Sequence, residues 1–477
     1  MADDNAIAVE SVQCKGCPDG ALHTSVVRSC YASVRGIERM LTGRFLARFI
    51  LAANVCWIAA GPASAQPSLD GTVPSTGLPT RDIDLGALTL REALEAALSA
   101  NRDVQSARAA LDAARGVLIS AGKRPNPTLT VGGGPGLIGQ YALRDADILI
   151  NYSQPIERGN KRELRTEAAS AAQDAARLEI DNTLRLLRLS LTAAYFGLKQ
   201  EDERVQVAKA NRDAFSRTIE VAELRLKAGD IARSDLVRLR VEAGRSENEM
   251  QQAEADATVS RVVLGVLLAR ERDAPLIRAI DPWPPSSDVV PRRADMEEVL
   301  RARPDVRAVA ARERSAVAAL DLARALRARD VGVAVVTERN LPANGGTTLG
   351  VQLSIPLFIN NDYGGEIVRA EAELTSARLN LDRVRGSARA EADRAIAQFN
   401  SARAQLVRFE GQIGPDAQWA VDAAEFAYRR GAIPLTDLLD ARRQFYGTQR
   451  QLLESRTNFA VARAALEASL GRALYEK

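Results

Sequence analysis

Residues 158–227 read RGNKRELRTEAASAAQDAARLEIDNTLRLLRLSLTAAYFGLKQEDERVQVAKANRDAFSRTIEVAELRLK. Apolar residues recur here at helical spacing, with many alanines between them. Small side chains let helix backbones approach closely, as in coiled coils. As one helix, Arg158–Lys227 would run roughly 105 Å at about 1.5 Å per residue. An ordinary globular domain does not use such a helix. Two shorter helical stretches flank it, Asp103–Gly122 and Ser234–Arg270. Stacked end to end, their roughly 57 residues reach about 86 Å. A long helix antiparallel to two stacked shorter ones gives a rod of matched length. Composition agrees: 26% of residues are charged and only 4% aromatic, as in closely packed helices rather than an aromatic-rich core.

The unit occurs twice, at an offset of about 202 residues. Ala100-Asn101-Arg102-Asp103-Val104 matches Ala302-Arg303-Pro304-Asp305-Val306, and Gln154-Pro155-Ile156 matches Ile355-Pro356-Leu357. Ala228-Gly229-Asp230-Ile231 and Ser234-Asp235-Leu236 match Arg430-Gly431-Ala432-Ile433 and Thr436-Asp437-Leu438. The spacing predicts a second helix over Pro304–Ala328, a second long helix over Gly365–Arg429 and a last one over Thr436–Ser469. Gly411 and Gly414-Pro415 interrupt the second long helix, whereas the first carries Asp213 at that level. A kink is expected near Pro415 and none near Asp213, because proline removes a backbone hydrogen bond.

Between the first and long helices of each copy lie two strands, near 127–131 and 148–156, then 331–337 and 348–357. They alternate: Leu349, Val351, Leu353, Ile355 and Leu357 face one way, Gly350, Gln352 and Ser354 the other. Period-two patterning with small polar partners fits strands with one face to lipid and one to a lumen, and equally a half-buried soluble hairpin. Four strands cannot close a barrel, and open strand edges are not tolerated in lipid. Membrane-spanning strands here would require subunits that share one barrel.

The division that follows is a signal peptide at 40–65, an arm at 66–87, a first repeat at 88–270 and a Pro-rich linker at 271–294. A second repeat at 295–472 and a tail at 473–477 complete it. In the signal, Arg44 and Arg48 precede the apolar run Phe49–Ala60, and Ala63-Ser64-Ala65 is an A-x-A cleavage site. Met40 reads as the true start, which would make residues 1–39 a misannotated extension. Cys14, Cys17, Cys30, Cys56 and the single histidine, His23, all fall before the predicted cleavage point. Downstream there is no thiol nucleophile, disulfide or His/Cys metal site. Cys56 as a lipidated cysteine is disfavoured by Val55 and by the apolar run continuing past it. No downstream stretch has the ~18 apolar residues of a membrane-spanning helix. With 64 basic and 61 acidic residues, the chain carries no nucleic-acid footprint.

Gly134-Pro135-Gly136-Leu137-Ile138-Gly139 fits G-x-G-x-x-G but sits in a loop between strands, with no helix behind it, so it is not read as a dinucleotide site. No paired carboxylates or Ser/His/Asp set suggest catalysis, and neither a cofactor nor a resident metal is expected. Gly229 and Gly431 each end a long helix and are read as C-caps with positive φ. Both turns fall at the end of the rod away from the strands.

Together these residues resemble the TolC-type outer-membrane efflux proteins over almost all of residues 88–472. Gln154-Pro155-Ile156-Glu157-Arg158-Gly159-Asn160-Lys161-Arg162 looks like the Q-P-I-E-x-G-x-K-R signature of the CzcC branch, which serves heavy-metal efflux. The run from Tyr428 to Ala441 is similar to the family's tip motif, Y-x-x-G-x-x-x-x-x-D-V-L-D-A. The resemblance implies a homotrimer in the outer membrane of a Gram-negative bacterium, with a shared barrel and a helical tunnel across the periplasm. Its partners would be a periplasmic membrane-fusion adaptor and an inner-membrane resistance-nodulation-division pump, with energy supplied by the pump. The tip residues Ala228, Gly229, Asp230, Ile231, Asp235, Tyr428, Arg430, Gly431, Ala432 and Ile433 would meet the adaptor. Asp437 and Asp440, three apart on one helix face, would line the tunnel's periplasmic mouth as stacked acidic rings. Arg429, Arg430, Arg442 and Arg443 are candidate partners holding that mouth shut. The family's second locking arginine is replaced here by Ile433.

The expected fold is therefore mainly α with a small transmembrane β part: a long antiparallel helical barrel and four strands per subunit, twice repeated. The expected function is a passive channel subunit of a tripartite efflux system, for heavy-metal cations. A drug-efflux or type I secretion channel is the nearer alternative. A periplasmic coiled-coil structural or adaptor protein is the more distant one.

Overall fold

The computed structural model describes residues 84–134, 147–286, 296–339 and 346–471. The signal segment, the cysteines, His23, loop residues 135–139 and the tail lie outside the described residues.

A capping box opens helix α1 (Leu90–Ala100): the Thr89 side chain accepts from the Glu92 backbone N–H, and Glu92 reaches back to the Thr89 N–H. Asn101 ends α1 and begins α2 (Arg102–Ala121), its side chain accepting from the backbone N–H groups of Asp103 and Val104. The first helix of the sequence reading thus gains a separate helix in front of it. Strands β1 (Thr128–Gly134) and β2 (Asp147–Ile156) follow. Helix α3 (Lys161–Ala228) is continuous for 68 residues, and α4 (Arg233–Leu267) returns along it.

The second half runs α5 (Met296–Ala302), α6 (Pro304–Ala325), β3 (Val331–Arg339) and β4 (Thr347–Ser354). Its long helix is broken into α7 (Gly364–Arg408) and α8 (Gly414–Arg429) by the five-residue π-turn Phe409–Ile413. The Gly414 backbone N–H bonds to the Phe409 carbonyl five residues back. Pro415 has no N–H to offer, and the widened turn is where the ladder adjusts. No such break occurs at Asp213 in α3. Helix α9 (Leu435–Leu470) completes the chain's described part.

Helix neighbours define a slab. Beside the strands, α3 lies between α2 and α6, and α6 packs on α7. Away from the strands, α3 lies between α4 and α9, and α9 packs on α7 and α8. One edge is thus α2 and α4, the other α7 and α8. Large apolar side chains are exposed on both: Val117, Ile119, Val237 and Val241 on the first, Leu379, Val407, Trp419 and Phe426 on the second.

The sheet has the order β1-β2-β3-β4, antiparallel throughout and open at both ends. Cross-strand rows Leu129–Tyr152–Val335–Val351 and Val131–Ile150–Thr337–Leu349 lie on one face. All of these but Thr337 are exposed apolar or aromatic residues. The opposite rows, Thr130–Asn151–Val336–Gly350 and Thr128–Ser153–Ala334–Gln352, are smaller and more polar. Among the described residues no helix covers the apolar face.

The chain between the halves is pinned through residue 286. Leu88 N–H donates to the Arg278 carbonyl at 3.0 Å, and Arg278 N–H to Leu85 at 2.8 Å. The Tyr195 hydroxyl donates to the Leu88 carbonyl at 2.8 Å and accepts from the Asp281 N–H at 3.0 Å. Burial pushes this phenol up to about 12. Leu88, Tyr195, Phe196, Leu264 and Ile277 form the apolar core around it.

Candidate functional site

The end of the rod away from the strands is built from two near-identical turns. Gly229 (φ 83°) and Gly431 (φ 74°) adopt the left-handed conformation that a side chain resists. In the first turn Asp230 N–H donates to the Arg225 carbonyl; in the second, Ala432 N–H donates to Ala427, 202 positions on. These are the closing bonds of Schellman caps.

Beneath the turns lies one shared apolar cluster: Phe215 and Ala222 of α3, Leu236 and Leu239 of α4, Tyr428 of α8, and Leu435, Leu438 and Leu439 of α9. Of the ten expected tip residues, Tyr428 is buried in this cluster, and Ile231 and Ile433 pack against it. Ala228, Gly229, Asp230, Arg430, Gly431 and Ala432 face solvent, and Asp235 is half-buried. The turns therefore present backbone and small polar groups outward over a hydrophobic anchor.

Asp437 lies in the first turn of α9 and Asp440 one turn further, both exposed. Among the described residues Asp437 accepts only from the Thr436 hydroxyl, at 3.3 Å. Asp440 pairs with Arg443 at 3.2 Å, and Arg443 also holds Glu242 of α4 at 2.7 Å. Of the four candidate arginines, this one alone reaches either aspartate within the chain. Arg442 pairs instead with Glu425 of α8 at 2.9 Å. It also donates to the Ala214 carbonyl and Thr218 hydroxyl of α3 at 3.3 and 2.9 Å, over the Phe215 ring. Arg429 donates to the Glu425 carbonyl, and Arg430 stacks on Phe426 with its guanidinium 4.3 Å from the ring centre.

Two contacts between the halves were missed by sequence reasoning, that of Arg442 and that of Arg225. Arg225 of α3 donates to the Arg429 carbonyl at 2.8 Å and lies over the Tyr428 ring. A cation at the C-terminus of α8 satisfies a free carbonyl and complements the helix dipole. Arg225 gave no signal, because its counterpart in the second half is Ala427. For Arg442 the repeat signals only the pair within its own half, Arg442–Glu425, whose counterpart is Arg240–Glu223 at the same offset.

The signature segment lies at the sheet-to-helix junction. Gln154 donates to the Pro125 carbonyl at 3.0 Å, and Arg165 holds Glu157 through two bonds of 2.7 and 3.2 Å. Buried Lys161 binds Asp330 at 2.8 Å and the Ala328 carbonyl at 2.7 Å. These residues lock β2 and α3 to the turn before β3. Among the described residues no cluster of three His, Cys, Asp or Glu side chains is arranged to hold a metal, and no helix is long and apolar enough to cross a membrane.

Known proteins share this architecture. The family model "Outer membrane efflux protein" matches twice, over residues 93–270 and 296–472. The cobalt-zinc-cadmium resistance protein CzcC of Cupriavidus metallidurans is 25% identical over 397 residues, covering 81% of this chain and 91% of that protein. Nodulation protein T of Rhizobium leguminosarum bv. trifolii is 24% identical over 405 residues, covering 79% and 84%. The outer membrane protein VceC of Vibrio cholerae shares the fold with a TM-score of 0.67 at 20% identity, covering 81% of this chain and 97% of that one. The chain belongs to the outer membrane efflux protein family, a channel of the outer membrane with its helical part in the periplasm.

Proposed function

We propose that the chain is one of three identical subunits forming a closed ring, two copies of one unit per subunit. The ring conducts substrate passively from an inner-membrane pump and a periplasmic adaptor to the exterior. The observation that carries this reading is the open four-stranded sheet with its uncovered apolar face. Its unpaired edges are not tolerated in lipid, and its apolar face is unfavourable in water. Closure requires at least eight strands, which only further copies supply. The choice of three follows the family resemblance. The exposed turns around Gly229 and Gly431 are the surface offered to the adaptor, and Asp437 and Asp440 line the mouth.

The substrate class is heavy-metal cations. The likeness to CzcC and the signature at Gln154–Arg162 support it, as does a mouth carrying two exposed carboxylates per subunit. Acidic rings favour cations and raise their local concentration. The similar likeness to a nodulation protein supports a competing reading, export of a non-metal cargo. Two measurements decide. Loss of the gene should raise sensitivity to cobalt, zinc or cadmium; unchanged metal tolerance with lost export of an organic compound would favour the second reading. In planar bilayers, Asp437→Ala/Asp440→Ala should weaken cation selectivity and block by multivalent cations from the periplasmic side. Unchanged selectivity and block would remove both residues from the gate.

A further inference from the structure

Arg442 and Arg240 are counterparts, 202 positions apart, and each pairs with the counterpart glutamate on its own hairpin. Their surroundings differ. The Arg442 side chain is 9% exposed, because α3 of the first half lies against it and accepts two further hydrogen bonds. The Arg240 side chain is 59% exposed and donates only to Glu223, at 2.8 Å. It stands on α4, at one edge of the slab, and among the described residues its other N–H groups have no protein acceptor.

The opposite edge carries the surface that would complete it. Inside the chain, Arg442 reaches Ala214 and Thr218 on the long helix of the first half. The matching positions on the second long helix are Asp416 and Ala420, both exposed on α8. Asp416 forms no ion pair or side-chain hydrogen bond among the described residues. Trp419 beside them, one turn on from Asp416, is 73% exposed. An arginine at one edge thus has an unpaired carboxylate and an open aromatic ring at the level where the fold would place its acceptors.

We infer that Arg240 of each subunit pairs with Asp416 of the neighbouring subunit, so that the seam between subunits repeats the seam within each. The partner is a second copy of this chain, and the inference rests on the closed ring proposed above. A head-to-tail contact closes a ring when its rotation divides the circle. Here the contact inside the chain supplies the rotation. Where Ala214 offers only its backbone carbonyl, Asp416 adds a side-chain carboxylate, a stronger partner for a guanidinium. The position matching Phe215, over which Arg442 lies, is Ala417; Trp419, three residues after Asp416, is the ring that the Arg240 guanidinium would meet instead.

The test is charge reversal in the full-length protein extracted from outer membranes, read as the fraction of trimer surviving heating in detergent. Arg240→Asp and Asp416→Arg should each lower that fraction about tenfold at the wild-type midpoint, and the double variant should restore it. Arg240→Asp with Glu223→Arg repairs only the internal pair and should not restore it. Independently, Arg240→Cys with Asp416→Cys should give covalent dimers and trimers with a short bismaleimide, since no native cysteine follows Cys56. A stable wild-type trimer in which the double reversal is no better than the singles, and the cysteines fail to link, overturns the contact alone. A wild-type protein without trimers overturns the ring as well.

Discussion

The two halves of the molecule solve the same structural problems with different residues. At the junction near the linker, Asn101 donates to the Leu267 carbonyl at 3.0 Å. Its counterpart Arg303 donates to the Ser469 carbonyl at 2.9 Å, again 202 positions on. Asn101 is neutral and also caps a helix. Arg303 is a charge with its side chain 1% exposed, held by Asp305 and Glu391 at 2.7 Å each. Arg185 of α3 joins them, within 3.5 Å of Asp305 and 3.4 Å of Glu391. The long helices differ likewise, α3 being continuous and its counterpart broken before Pro415. The first half has the unbroken long helix; the second has the most deeply buried charge, Arg303, and the irregular helix.

This contrast can be broken first at Arg303. Removing one partner of a buried, hydrogen-bonded ion cluster leaves the others uncompensated. Arg303→Met should cost about 3 kcal/mol in denaturant unfolding, against about 1 kcal/mol for Asn101→Ala, which loses a cap and one bond. Equal costs would deny the difference between the junctions. The same cluster sets a pH limit. Burial alone would raise the Asp305 carboxyl, but hydrogen bonds and charge from Arg303, with Arg185, bring it below its usual value. Its contribution is therefore present above the ordinary aspartate value of about 3.9 and lost as pH falls through the lower folded value. Arg303→Met should remove that acid-side loss.

A smaller effect is expected at the tip. Glu425→Gln leaves the Arg442 charge, almost wholly buried, without its counter-ion, at about 2 kcal/mol. Glu223→Gln touches an exposed pair and should change stability by no more than about 0.5 kcal/mol. The last contrast is at the π-turn. A Cβ on Gly414 would stand 2.9 Å from the Phe409 carbonyl oxygen, whereas one on Gly411 meets nothing. Gly414→Ala should cost about 1 kcal/mol, while Gly411→Ala should be neutral or gain up to about 1 kcal/mol from helix propensity. Amide exchange should be faster at 409–415 than at 207–213 in α3, and equal rates would remove the distinction.

Much of this architecture is legible in the sequence because it is periodic. The spacing of apolar residues sets the long helices, the strand alternation sets the sheet's two faces, and Gly229 and Gly431 mark the ends. The break near Pro415 is legible from its missing N–H, but its form is not. That the ladder slips into a π-turn at Phe409–Ile413 depends on packing against α9, where Glu410 pairs with Arg456. The split at Asn101 is hidden because a single asparagine inside a helical pattern is ordinary. The tip arginines are hidden for another reason: Arg225 and Arg442 act across sequence separations of 204 and 228 residues. Helical spacing points Arg443 toward Asp440, three residues back, while tertiary contacts take Arg442 to Glu425.

The central claim is that one chain is an incomplete object whose two edges close on copies of itself. Its most direct measurement is the mass of the protein extracted from outer membranes in mild detergent, with β-content recorded on the same sample. A particle of three chains that keeps its β-signal is expected. A monomer retaining the full β-content would contradict it.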